Sequence, residues 1–188
     1  MKHLLTTCCA ALLFAGTLSA KEKVEINGAK PGVWTMDLRA AVKVAAEKKL
    51  PIFINFTGSD WCGWCIHMDE KVFGQPEWKT YAQENLMLVW IDFPRDKKLV
   101  PSKYVERNKK LAKDNGVTGY PTYIVLKSDG KTTLGKLGAS RDATPANFIE
   151  KVKGVIAKGE PKKDAKPEEA KPEEVQPEAP APEETDAE

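Results

Sequence analysis

An α/β domain with a mixed central sheet and helices on both faces is what the order of patterns along this 188-residue chain predicts. Near-continuous apolar runs of strand length, as expected of strands buried on both faces, recur at 52–56, 86–93 and 121–126. Stretches with helical spacing separate them. The third run turns back through Ser128, Asp129, Gly130 and Lys131 into a further strand, which makes a hairpin, and an amphipathic helix closes the pattern.

Taken in order, residues 21–32 are polar apart from Val24 and Ile26, and read as either an edge strand or an arm. The domain proper is expected over 33–158. From Asp37 to Lys49, Leu38, Ala41, Val42, Ala45 and Ala46 recur at helical spacing, with Asp37 as N-cap. Pro51 stops that helix and Ile52 to Phe56 form the first strand. A helix from Cys62 to about Val72 breaks at Gly74, and Pro76 opens another with Trp78, Tyr81 and Ala82 on its apolar side. Leu86 to Phe93 is the second buried strand, closed by Pro94. Residues 95–103, charged and carrying Pro101, read as a loop. Tyr104 to Asn115 is a helix with a lysine-rich outer face, ended by Gly116. The third strand starts at Pro121, a position proline tolerates, and the hairpin partner is Thr132 to Leu137. Pro145 starts the last helix, with Phe148, Ile149, Val152 and Ile156 on one side.

Both ends fall outside this pattern. Lys2 and His3 followed by small and apolar residues from Leu4 to Ala15, then Gly16 to Ala20, have the form of a signal peptide over 1–20, which predicts a periplasmic or secreted protein. The apolar run is shorter than the roughly 20 residues a membrane span needs. Thr6 and Thr7 stand where a lipidated Cys8 or Cys9 would need small residues. From Gly159 to Glu188 the chain turns to Pro, Glu, Ala and Lys and carries a net charge of −7, against +2 for the whole chain. With Val175 as its one large aliphatic residue, this acidic tail cannot bury enough surface to offset ordering and is expected to be disordered. The body, 21–158, is left mildly basic at +8, which reads as solvated lysines on helix faces.

Loss of the leader reduces four cysteines to two, Cys62 and Cys65, separated by Gly63 and Trp64. A pair this close closes almost no loop, so its stabilising value is small, and in an exported protein it is more fitted to reaction than to structure. Thr57, Gly58, Ser59 and Asp60 lead from the strand into the helix, placing Cys62 at its start, where unpaired amides and the helix dipole favour thiolate. A gain of about 1 to 2 kcal/mol there corresponds to about one pKa unit, which brings a thiol of pKa near 8.5 close to neutrality. Cys65, one turn deeper on the same face, is placed to resolve a mixed disulfide. A zinc site competes for the pair, but the mature chain adds only His67 and stray carboxylates to the ligand set. An inert disulfide competes as well. His67 itself is expected to face solvent. Trp61 and Trp64 flank the sulfurs and form an apolar apron for a partner polypeptide, with ordinary packing as the competing reading for Trp61. No phosphate loop, Ser/His/Asp set or nucleic-acid motif is visible, and neither a cofactor nor nucleic acid is expected.

The run Trp61-Cys62-Gly63-Trp64-Cys65, together with Thr118-Gly119-Tyr120-Pro121-Thr122, resembles the thioredoxin superfamily, and Gly58 to Cys65 is similar to an exported bacterial thioredoxin-like group of thiol-disulfide interchange proteins. The resemblance covers about residues 33–158. It implies a thioredoxin fold, Cys62 as the attacking and Cys65 as the resolving cysteine, and Pro121 in cis beside them. It also implies that the backbone of Tyr120 pairs with an extended substrate peptide. The expected partners are client proteins with thiols or disulfides and a membrane or soluble electron donor, met by a monomer. Two departures stand out. Gly-Trp replaces the Gly-Pro of thioredoxins proper, and the buried acid of thioredoxin falls near Asn55, whose amide cannot accept a proton. Asp60 is expected to cap the helix. The competing function is a non-catalytic protein-binding module with a permanently closed disulfide.

Overall fold

The computed structural model describes residues 23–159; the leader and the acidic tail expected from the sequence lie outside the described residues, apart from Gly159. Five strands form one sheet in the order β1-β3-β2-β4-β5. They are β1 (Trp34–Thr35), β2 (Ile52–Thr57), β3 (Met87–Asp92), β4 (Thr122–Leu126) and β5 (Thr133–Gly138). β1, β3 and β2 run parallel, β4 is antiparallel to β2, and β5 is antiparallel to β4. The helices are α1 (Leu38–Lys48), α2 (Gly63–Met68), α3 (Pro76–Asn85), α4 (Ser102–Asp114) and α5 (Pro145–Gly159). The mixed sheet covered on both faces is therefore present. Among the described residues, no helix is long and apolar enough to cross a membrane.

Four local features differ from the expected pattern. β1 is additional: two residues are too few to show a period, and Trp34 and Thr35 become a strand only by pairing with Leu88 and Val89 of β3. The arm before it is tied down, since the Glu25 and Met36 amides donate to the Trp34 and Glu25 carbonyls, each at 2.8 Å. The helix expected from Cys62 to Val72 widens at its end into a π-helical turn, Asp69–Phe73, and Val72 and Phe73 are both buried there. Pro121 precedes β4 rather than starting it, because the ladder with β2 begins at Thr122, opposite Phe56. In α1, Val44 rather than Ala46 packs with Ala41 and Ala45.

Alternation along β2 divides the core. Ile52, Ile54 and Phe56 join Ala41, Ala45, Val89, Ile91 and Ile124 on the α1 and α4 side. Phe53 points to the other side, where its ring meets those of Trp34, Phe73, Trp78, Tyr123 and Phe148 at centroid distances of 5.3–6.2 Å. Four of these contacts are edge-on, the arrangement aromatic quadrupoles favour. This aromatic layer forms a rigid floor on the same side as α5 and the π-helical turn.

Asp37 is the N-cap of α1, accepting from the Ala40 amide at 3.0 Å, while its other oxygen accepts from the Gly28 amide at 3.1 Å. Burial pushes its pKa up, but these two amides, with Lys103 and Arg107, overcome that and hold it below the usual 3.8. Because the folded-state pKa is depressed, the cap contributes fully above the unfolded value and loses its contribution as pH falls through the folded one. Asp37→Ala is therefore expected to cost about 1 kcal/mol in urea unfolding at pH 7, with the difference shrinking as pH falls through the depressed pKa, because the neutral carboxyl is the weaker acceptor. A difference that does not shrink in acid would contradict the carboxylate as its cause.

Candidate active site

β2 delivers the chain to Gly58, whose carbonyl accepts from the Trp61 and Cys62 amides at 3.2 and 2.9 Å. Glycine is required there because a Cβ would lie 2.5 Å from the Trp61 indole. Cys62 is the N-cap of α2, with extended backbone (φ −84°, ψ 103°), and its Sγ accepts the Cys65 amide at 3.2 Å. A cap position normally filled by a serine or aspartate oxygen is thus held by sulfur, with a backbone amide aimed at Sγ. Cys62 and Cys65 are joined as a disulfide, with Cα atoms 5.2 Å apart. Cys62 retains 6% of its surface and Cys65 2%, so both residues are buried, Cys65 more fully.

The rim around this pair is aromatic. Trp61 is 38% and Trp64 45% exposed, so both expected apron residues reach solvent. Trp61 is also packed: its Nε1 donates to the Phe93 carbonyl at 2.8 Å and its ring meets Tyr120 edge-on at 5.8 Å. Tyr120 lies 5.2 Å from Phe93, and the Arg95 guanidinium sits 5.7 Å from the Trp61 ring centroid. The Tyr120–Pro121 peptide is cis, and the Tyr120 ring brings it beside the residue preceding Cys62. Burial pushes the Tyr120 phenol above its ordinary pKa, so it stays neutral at physiological pH. Trp64 lies edge-on to His67 at 5.6 Å. His67, expected to face solvent, is half-buried, and its Nε2 is buried with no hydrogen-bond partner among the described residues.

The acids near the site are arranged differently from expectation. Asp60 does not cap α2, because Cys62 occupies that position. Its carboxylate instead accepts from the Arg95 and Asp96 amides at 2.9 and 2.8 Å, and these two bonds hold its pKa below the usual range. A base stabilised in this way has little appetite for a proton. Asn55 is buried in β2 between Trp90 and Tyr123, and its Oδ1 has no partner among the described side chains. The buried carboxylate next to the cysteine turn is Asp92, at the end of β3, which takes two hydrogen bonds from Ser59. The sequence pattern placed Ser59 in the turn before Cys62 but passed over Asp92, although a lone acid closing an otherwise apolar strand was the available signal. Among the described residues, no group of three or more His, Cys, Asp or Glu side chains could hold a metal.

Residues 38–153 match the family model described as a thioredoxin-like domain. A disulfide bond reductase of Chlamydia pneumoniae, DsbH, is 30% identical over 149 residues, covering 79% of this chain and 87% of that protein. The solved structure of a DsbH oxidoreductase superposes with a TM-score of 0.60 at 27% identity, covering 84% of this chain and 94% of the other. A thioredoxin from Thermus thermophilus, 22% identical with a TM-score of 0.51, covers 67% of this chain and 88% of its own and shares the fold. With Cys62 of a disulfide pair capping the helix after β2 and a cis-proline before β4, the chain belongs to the thioredoxin-like family of the thioredoxin superfamily and has the site of a thiol-disulfide oxidoreductase.

Proposed function

We propose that this protein is an exported reductase of disulfides in client proteins, in which Cys62 attacks and Cys65 resolves. The observation that carries the reading is the asymmetry of the pair: Cys62 caps the helix, receives an amide on its sulfur and is the less buried of the two. In the reduced protein the Cys62 thiolate attacks a client disulfide, one client sulfur leaves as thiolate, and a mixed disulfide forms. Cys65 then gives up its proton and attacks the Cys62 sulfur, which closes the ring and releases the second client thiol. A donor dithiol, membrane-bound or soluble, returns two electrons. The exposed Trp61 and Trp64, with the backbone of Tyr120 before Pro121, form the surface on which a client strand lies. The reductase direction is supported by the name of the 30% identical relative, and export by the leader-like 1–20 stretch.

The burial of both cysteines favours a second reading, a binding module whose disulfide stays closed. Equilibration against a series of glutathione and dithiothreitol buffers separates the two. A redox-active pair opens reversibly between about −300 and −120 mV, and a reductase lies toward the low end of that range. A bond that stays oxidised far below about −300 mV would leave the binding module as the better account.

A further inference from the structure

We infer that Asp92 is a positioning residue of the redox site, holding through Ser59 the turn from which Cys62 presents its sulfur. Asp92 Oδ1 accepts the Ser59 amide at 3.0 Å and Oδ2 accepts the Ser59 hydroxyl at 2.6 Å, across 33 residues of sequence. Both residues are buried, and a carboxylate is retained in such a place only where its oxygens are satisfied.

The anchor is itself braced. The Asp92 carbonyl accepts from Asn108 Nδ2 at 3.1 Å, Asn108 Oδ1 accepts from Arg107 Nη2 at 2.6 Å, and Arg107 Nη1 donates to the Met36 carbonyl at 2.6 Å. Ser59 is therefore tied to a strand end that α4 and the β1–α1 connection hold in place. The next two residues repeat the tie, Asp60 to the amides of Arg95 and Asp96, and Trp61 to the carbonyl of Phe93. Residues 59–61 are thus laced one by one to the last residue of β3 and the chain that follows it, and Cys62 comes next.

While the disulfide is closed, the S–S bond itself restrains Cys62. Once it opens, that restraint is gone, and the turn depends on these hydrogen bonds to keep the sulfur over the Cys65 amide and aligned for in-line attack. The effect of Asp92 should therefore be concentrated in the reduced protein.

The inference rests on the reading of Cys62 as the attacking sulfur, and the test keeps the two apart. Iodoacetamide alkylation of Cys62 in the reduced full chain is measured at pH 7 and divided by the rate for the same chain in guanidinium. If that ratio for the wild type is not above one, the redox reading fails before any variant is compared. With a reactive wild type, Asp92→Ala is expected to lower the ratio about five- to tenfold and to shift the glutathione equilibrium about threefold toward the disulfide. Asp92→Asn, whose amide can still accept from the Ser59 amide and donate to its hydroxyl, restores the ratio to within about twofold of wild type. Should Asp92→Ala not fold, Ser59→Ala, which leaves β3 untouched, is expected to lower the ratio about two- to threefold. A wild-type ratio in a folded Asp92→Ala, or in Ser59→Ala, would overturn the role of Asp92, as would an Asp92→Asn chain as slow as the alanine variant.

Discussion

Cys62→Ser is expected to reduce insulin no faster than the dithiothreitol background, a loss of ~10²-fold or more, because a hydroxyl at the helix cap offers no anion at neutral pH. Cys65→Ser should behave differently. The first attack survives, since the Cys65 amide that supports the Cys62 sulfur is backbone and remains in place, but the resolving sulfur is gone. Mixed disulfides between Cys62 and client chains should then accumulate, visible on non-reducing gels and by mass spectrometry. The asymmetry between the two variants is the informative result. Adducts forming equally through Cys65 in a Cys62→Ser chain would overturn the division of roles, and the greater burial of Cys65 argues against that.

Phe53→Ala is expected to be among the most destabilising single changes in the core, at about 3–5 kcal/mol in denaturant unfolding. The side chain is fully buried and its ring touches five others, so truncation leaves a cavity between strand and helices that rigid aromatic neighbours cannot fill. A loss that large is a substantial share of the 5–15 kcal/mol typical of a domain. A midpoint within about 1 kcal/mol of wild type would show that the aromatic layer repacks. Leu is the informative second variant: it retains most of the volume without the edge-on ring contacts, and should recover most of the loss.

The place of the cysteine pair was local in sequence and therefore readable there. Two sulfurs three residues apart, after an apolar strand and a run of turn residues, mark the start of a helix, although the cap fell to Cys62 and not to Asp60. The helices follow from a period of 3.6 and the buried strands from short continuous apolar runs, both of which need only a window of residues. β1 has no such window, and it exists only because β3 supplies the hydrogen bonds it needs.

What only the tertiary structure decided is which acid serves the cysteine turn. Asp60 is the nearer in sequence, but its carboxylate is spent on the Arg95 and Asp96 amides, while Asp92, 30 residues beyond Cys62, holds Ser59. The difference is set by the parallel pairing of β2 with β3, which places Thr57 opposite Asp92 and so brings the two strand ends together. A sequence states which residues can carry charge or donate a proton. Which of them meet depends on strand register, and register depends on contacts between segments far apart in the chain.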